Sequence, residues 1–255
     1  MEVYMSANFT KVKVIKNDEV YNNIFSLCVE LNEDVENLLP GKFYMLKLED
    51  TETLLPRPIS ICSFNSNKLE FLYEVVGKGT KSFSTLSTGE YINIIGPLGN
   101  GFPVHEAKGK IAIISGGIGI APMKELIKSL KDSKDIDIIH LYSGFREEPY
   151  FMEGFKDTAD KIYIATDSGK EGHKGFITDI IDYKNYDLVF CCGPLPMMKK
   201  VAQSCKECGV KSYISMEGHM ACGVGACLVC TCKTKEGNKR TCKDGPIFLG
   251  ETLEF

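Results

Sequence analysis

No stretch of this 255-residue sequence approaches the roughly 18 apolar residues of a membrane-spanning helix, which argues against an integral membrane protein. The opening residues, Met1 to Val14, lack the charged flank, apolar run and small-residue cleavage site of a secretory signal. Basic charge is also in short supply. With 30 Lys and Arg against 34 Asp and Glu, and the cations scattered, the chain has no basic stripe of the kind that neutralises nucleic-acid phosphates. There is no internal repeat and no low-complexity linker. The expectation is a soluble, cytoplasmic protein that binds neither nucleic acid nor membrane.

Cysteine, by contrast, is plentiful. Five of the eleven lie between Cys222 and Cys242, and an odd total with so tight a cluster points to metal ligation rather than a disulfide framework. Cys222, Cys227 and Cys230 are spaced C-x4-C-x2-C, the plant-type ferredoxin arrangement, and Cys242 supplies a fourth thiolate. The small residues Gly223, Val224, Gly225 and Ala226 suit a loop that wraps a cluster and aims N–H groups at its sulfurs. A four-cysteine zinc site is the alternative, although zinc ribbons pair two C-x2-4-C knuckles and the second is missing here. If Leu228 to Thr234 is a strand, Cys232 shares a face with Cys230 and competes with it as ligand. Cys205 and Cys208 fall on a helix and read as free thiols. His219 invites comparison with a Rieske centre, which needs two histidines, so it reads as a packing or tuning residue.

Length allows two domains with cores of their own. Up to about Pro97 the pattern is short β-rich runs, Phe43 to Leu48, Ile59 to Phe64, Leu69 to Val76 and Tyr91 to Ile95, interrupted by one helical stretch, Lys81 to Ser87. Leu69, Phe71, Tyr73 and Val75 alternate with polar residues as in a half-buried antiparallel strand. From Lys110 apolar strands alternate with amphipathic helices, the signature of a mostly parallel α/β sheet. Strands are expected at Ile111 to Ser115, Asp137 to Gly144, Lys161 to Asp167 and Asp187 to Gly193. Helices are expected around Met123 to Leu130 and over Pro196 to Cys208. The predicted fold is a multidomain combination of an antiparallel β-barrel over 1–104, a Rossmann-like parallel α/β domain over 105–210 and a small cysteine-bearing domain over 211–255.

Two segments of the barrel suit a flavin nucleotide. Arg57, set between Pro56 and Pro58 and followed by Ile59 and Ser60, offers a guanidinium fork to a phosphate. Gly77-Lys78-Gly79-Thr80 precedes a helix, where N–H groups favour an anion. In the second domain Ser115-Gly116-Gly117-Ile118-Gly119-Ile120-Ala121-Pro122 joins strand to helix where a dinucleotide pyrophosphate binds, and Cys192-Gly193-Pro194 ends a later strand on the same side. Asp167 and Ser168 end another and suit a ribose or nicotinamide group.

These motifs, in this order and through Met216 to Pro246, resemble the ferredoxin-reductase-like flavoproteins, and within them the electron-transfer subunits of NAD-dependent dihydroorotate dehydrogenases. The resemblance covers essentially the whole chain. It implies a Greek-key FAD barrel, a Rossmann-like NAD domain and a 2Fe-2S domain. Flavin contacts are implied at Arg57, Pro58, Ile59, Ser60, Leu72, Tyr73, Glu74, Gly79 and Thr80. Nicotinamide contacts are implied at Gly116, Gly117, Gly119, Cys192, Gly193 and Pro194, and cluster ligands at Cys222, Cys227, Cys230 and Cys242, with no catalytic acid or base. The implied partner is an FMN-containing dihydroorotate dehydrogenase catalytic subunit in a heterotetramer of two each, serving pyrimidine biosynthesis. Related flavin and iron-sulfur reductase subunits of ferredoxin-linked and sulfide dehydrogenase complexes place aspartate where this chain has Cys222. A reductase of that kind, and a zinc-stabilised nucleotide sensor, are the alternatives. Where the family often has T-D-D-G-S, this chain reads Thr166-Asp167-Ser168-Gly169-Lys170, and a lysine there suits a phosphate, so the expectation of NAD is set against NADP as the alternative.

Overall fold

The computed structural model describes residues 9–35, 38–49 and 53–255. Most of the segment on which the absence of a secretory signal was argued, residues 1–8, lies outside them. Six antiparallel strands close a barrel in the order β1-β2-β5-β4-β3-β6: β1 Thr10–Tyr21, β2 Ile24–Glu30, β3 Phe43–Lys47, β4 Arg57–Asn65, β5 Lys68–Glu74 and β6 Tyr91–Leu98. Leu69, Phe71 and Tyr73 point into its core as the alternation requires. Leu72 on the opposite face is also buried, because the barrel's outer surface is covered by the second domain, where Leu72 joins Ile24 and Cys62 against Ile120 and Ala121.

The short helix α1 spans Lys78–Phe83, earlier than the expected Lys81 to Ser87. Thr80 is the reason. Its Oγ1 accepts the N–H groups of Val76 and Gly77, at 3.0 and 3.4 Å, so the chain turns at Gly77 rather than after Thr80. Phe83 and Leu86 then plug the barrel.

The second sheet has seven strands in the order β10-β9-β8-β7-β11-β12-β15, comprising β7 Gly109–Gly116, β8 Ile136–Phe145, β9 Lys161–Thr166, β10 His173–Lys174, β11 Leu188–Cys192, β12 Lys211–Ser215 and β15 Ile247–Leu249. All pair in parallel except β15, which runs antiparallel to β12. Helix α2 (Ala121–Lys131) follows β7 and buries Met123, Leu126, Ile127 and Leu130 on one face of the sheet. Helix α3 (Leu195–Cys208) follows β11 and buries Met198, Val201, Ala202 and Cys205 on the other. The chain therefore departs in opposite directions from the adjacent strands β7 and β11, which creates a switch point between them.

The stretch expected as a third domain, 211–255, lends its first and last strands to this sheet. Only the excursion 216–246 stands apart, carrying the hairpin β13 (Thr231–Thr234) and β14 (Gly237–Arg240).

Candidate functional site

Two sequence-distant pieces of the barrel meet at its mouth. A Cβ built on Gly79 would lie 2.6 Å from Arg57 Nε, so glycine here lets the backbone approach the guanidinium, which a side chain would displace. One arm of Arg57 is fixed by the Leu55 carbonyl at 2.6 Å and the Pro56 carbonyl at 3.4 Å. The first helical bond of α1 comes from Lys81 N–H to Gly77 O, so the N–H groups of Gly79 and Thr80 precede it and are not spent within the helix. The Thr80 hydroxyl, in contrast, is occupied by its own turn. Along β4, Pro58 and Ser60 alternate with Ile59, which packs on the barrel core, and so face outward with Cys62. Tyr73 points inward, donates to Asn17 Oδ1 at 3.1 Å and stacks on Phe25. Of the implied flavin segment, Leu72 and Glu74 look outward, and Tyr73 offers only its backbone. Arg57, Pro58, Ser60 and Glu74, with Gly79 and Thr80, thus lie along one end and one outer face of the barrel, a guanidinium and backbone N–H groups of the kind a flavin dinucleotide needs, while Ile59 and Tyr73 turn inward and Leu72 is buried against Ile120 and Ala121.

Across from it, the two nicotinamide motifs are pressed together at the switch point. A Cβ on Gly119 would sit 2.4 Å from Cys192 O, and one on Gly116 would sit 2.7 Å from Pro194 Cδ and 2.9 Å from Met197 Sδ. Those two glycines permit close packing of turn on turn. Gly117, at φ +53°, is different: the nearest atom to its Cβ position is Tyr150 Oη at 3.9 Å, so its backbone borders open space. Tyr150 and Met197 are junction residues that no sequence motif singled out, and they are joined there by Glu217, from the start of the Met216 to Pro246 stretch. Glu217 follows β12 and keeps an open face, yet burial and the charge of Glu74 raise its carboxyl above the ordinary value. It therefore lies where barrel, sheet and cysteine loop converge.

The cysteine loop packs on the barrel rather than projecting from it. Cys230 and Cys242 are buried in one apolar cluster with Phe43 and Met45 of β3 and Ile95 of β6. Gly223 (φ +72°) leaves no room for a side chain, since its Cβ would meet Met45 Cγ at 2.6 Å. Side chain meets side chain between Cys222 and Cys227 and between Cys230 and Cys242, so the thiols fall into two pairs. Cys227 N–H donates to Cys222 Sγ at 3.4 Å and Cys242 N–H to Cys230 Sγ at 3.4 Å, while Gly225 N–H reaches Cys242 Sγ at 3.1 Å. Partial burial opposes the Cys222 thiolate, but N–H groups of Cys227, Val224 and Ala226 outweigh it and hold that thiol at about 6. Burial, with the adjacent Cys230 thiol, pushes Cys242 up to about 12. Among the described residues no three His, Cys, Asp or Glu side chains converge as ligands of a single ion. Arg240 ties the loop together, binding Asp244 through Nε and Nη2, both at 2.9 Å, and the Gly225 carbonyl at 3.3 Å.

Cys232 is separated from this set. The strand begins only at Thr231, so the alternation that would align Cys232 with Cys230 does not apply, and Cys232 packs against the second sheet's core instead. Cys205 lies on the buried face of α3, its thiol pushed up to about 12 by burial. Among the described residues no helix is long and apolar enough to cross a membrane.

The comparisons with known proteins agree with this layout. A family model described as the iron-sulfur cluster binding domain of dihydroorotate dehydrogenase B matches residues 217–254, and one described as an oxidoreductase NAD-binding domain matches residues 113–203. The dihydroorotate dehydrogenase B (NAD(+)) electron transfer subunit of Clostridium perfringens is 51% identical over 252 residues, 98% of this chain and 100% of that protein. Its counterpart in Clostridium acetobutylicum is 46% identical over 249 residues, 98% of each chain. Among solved structures, one of the NADH-dependent reduced ferredoxin-NADP oxidoreductase is 27% identical with a TM-score of 0.85, covering 95% of this chain and 89% of that one. The cytochrome b5 reductase domain of Ulva prolifera nitrate reductase, 18% identical with a TM-score of 0.62 over 79% of this chain and 94% of its own, shares the fold. With a relative half identical along its entire length, the chain belongs to the family of dihydroorotate dehydrogenase B electron transfer subunits.

Proposed function

We propose that this chain passes electrons between NAD and an FMN-containing subunit that oxidises dihydroorotate to orotate, using FAD on the barrel and a 2Fe-2S cluster in the cysteine loop. When bound, the cluster supplies one-electron chemistry and the flavin and nicotinamide two-electron chemistry. The chain's own residues position these groups. Arg57, Pro58, Ile59, Ser60, Leu72, Tyr73, Glu74, Gly79 and Thr80 hold FAD. Gly116, Gly117, Gly119, Cys192, Gly193 and Pro194 receive NAD, and Cys222, Cys227, Cys230 and Cys242 ligate the iron.

One observation carries the reading. Met45 of β3 pairs with Pro58 of β4 on one side and shares an apolar cluster with Cys230 and Cys242 on the other. The proposed flavin segment and the proposed cluster ligands are thus a single strand apart, about 5 Å per strand spacing, a separation suited to electron transfer. The pairing of thiols supports two irons, each taking two of them, over zinc, which would draw all four to one centre. Cys227 is exposed, and the neighbouring Leu228 and Val229 are 62% and 55% exposed, which supports this edge as the face turned to the catalytic subunit. A cytoplasmic location, a heterotetramer of two each, and a division into barrel (1–104), NAD domain (105–210) and cluster domain (211–255) complete the proposal. β12 and β15 serve as shared strands in that division.

The test is reconstitution. Mixed with an FMN dihydroorotate dehydrogenase subunit, the chain should form a complex in which dihydroorotate reduces NAD. Alone it should reduce dyes with NADH but leave dihydroorotate untouched. A complex that forms yet never reduces NAD overturns the relay, and a chain purified with stoichiometric zinc and no iron or flavin overturns the cofactor assignment.

A further inference from the structure

NAD and NADP differ by one dianionic phosphate on the adenosine ribose, so the charge arrangement around that ribose decides between them. With nicotinamide and pyrophosphate at the junction of β7 and β11, the adenosine half of a dinucleotide extends over the carboxyl ends of the next strands, β8 and β9. Those ends carry Arg146, Glu147 and Glu148 after β8, and Asp167, Ser168, Gly169 and Lys170 after β9. By charge Arg146 and Lys170 are the residues to greet a phosphate, and Lys170 is the one on the β9 turn.

The structure gives Lys170 another partner. Its Nζ lies 2.8 Å from Glu148 Oε1, while its backbone N–H binds Ser168 Oγ at 3.1 Å. The turn that presents it is fixed: Gly169 N–H binds Thr166 O at 3.1 Å, and Gly169, at φ +71°, leaves its Cβ position 2.5 Å from Lys174 Cβ. The segments that follow the two strands carry three cations, Arg146, Lys170 and Lys174, and four carboxylates, Glu147, Glu148, Asp167 and Glu171. Lys170 and Glu148 are 74% and 52% exposed, so the pair adds next to nothing to stability. Its consequence is electrostatic: the one cation on the β9 turn placed to meet the extra phosphate already holds a carboxylate, and a dianion arriving there would meet Glu148.

We propose that Glu148 sets the nucleotide preference of this chain, occupying Lys170 and thereby excluding the 2′-phosphate of NADP. This rests on the NAD-binding reading above and sharpens it. In the assembled holoprotein, E148Q should raise kcat/KM for NADPH relative to NADH by about tenfold, the scale of one charge-assisted hydrogen bond. The double variant E148Q/K170A should return the ratio to within about twofold of the parent. Calorimetry gives a readout independent of turnover. E148Q should bind 2′,5′-ADP about tenfold tighter than the parent while 5′-AMP binding is unchanged, and the gain should shrink as salt screens it. An E148Q protein with an unshifted ratio, or a gain that survives in the double variant, overturns the assignment. Parent protein that binds 5′-AMP with no E148Q effect sinks only the role of Glu148. Parent protein that binds neither nucleotide sinks the NAD site and this proposal together.

Discussion

At the scale of single residues, the cysteines have distinct fates that mutation can separate. Serine at Cys222 or Cys242 removes a thiolate from one of the two pairs, and the expected result is loss of the visible iron-sulfur absorption and of bound iron. Serine at Cys232, which packs against the second sheet's core, should leave iron content at the parental level; metal analysis of the three purified variants checks the contrast. Gly79 makes a second residue-scale prediction. An alanine there would press its Cβ on Arg57 Nε, at 2.6 Å in the present geometry, and displace the guanidinium from the backbone it meets. FAD retention should fall by about tenfold or more, roughly the value of a lost charge-assisted contact, measured by flavin content after dialysis, with the fold intact by circular dichroism.

At the scale of elements, helix α2 is the seam between barrel and sheet. Its Lys124 binds Glu70 of β5 at 2.7 Å, Glu125 Oε2 accepts the Phe64 N–H at 3.2 Å, and Lys128 lies over the Phe64 ring. Glu70 also accepts the hydroxyls of Ser26 and Ser63. Burial works to raise its carboxyl, but Lys124 and the two serines outweigh burial and leave it below the ordinary 4.5. A depressed folded value means that the bridge's contribution is fully present above the unfolded value near 4.5 and is lost as pH falls through the folded one. E70Q should cost about 1 to 3 kcal/mol at neutral pH, and the difference from the parent should narrow on titration below pH 4.5, read by denaturant unfolding at each pH. A constant difference down to acid would show that the carboxylate charge is not what holds the seam.

At the scale of the whole molecule, the exposed apolar residues at Leu228 and Val229 beside Cys227 predict where the catalytic subunit docks. Glutamate at both positions should weaken the complex by at least about tenfold, a desolvated charge being costly in an interface core. NADH-dependent dye reduction by the isolated chain should persist. Sedimentation of the mixed subunits measures the first and a dye assay the second.

Much of this architecture was legible in the linear text, for reasons that are local. Strand alternation in Leu69, Phe71 and Tyr73, the helical spacing of Met123, Leu126, Ile127 and Leu130, and the spacing of Cys222, Cys227 and Cys230 are properties of neighbouring residues. So is the glycine-rich turn after β7. Where local signals ended, tertiary contacts decided. The start of α1 lies at Lys78 because the Thr80 hydroxyl accepts the N–H groups of Val76 and Gly77, and Cys232, which competed with Cys230 only if one strand held both, parts from it because the strand starts after Cys230. The sequence by itself thus determined which chemistries the chain carries, since ligand type and spacing are written in consecutive residues. Only the tertiary structure decided which of them touch. Arg57 against Gly79, Gly119 against Cys192, and Met45 between Pro58 and the buried cysteines are contacts between segments far apart in the chain, and only barrel closure and sheet order bring such segments together.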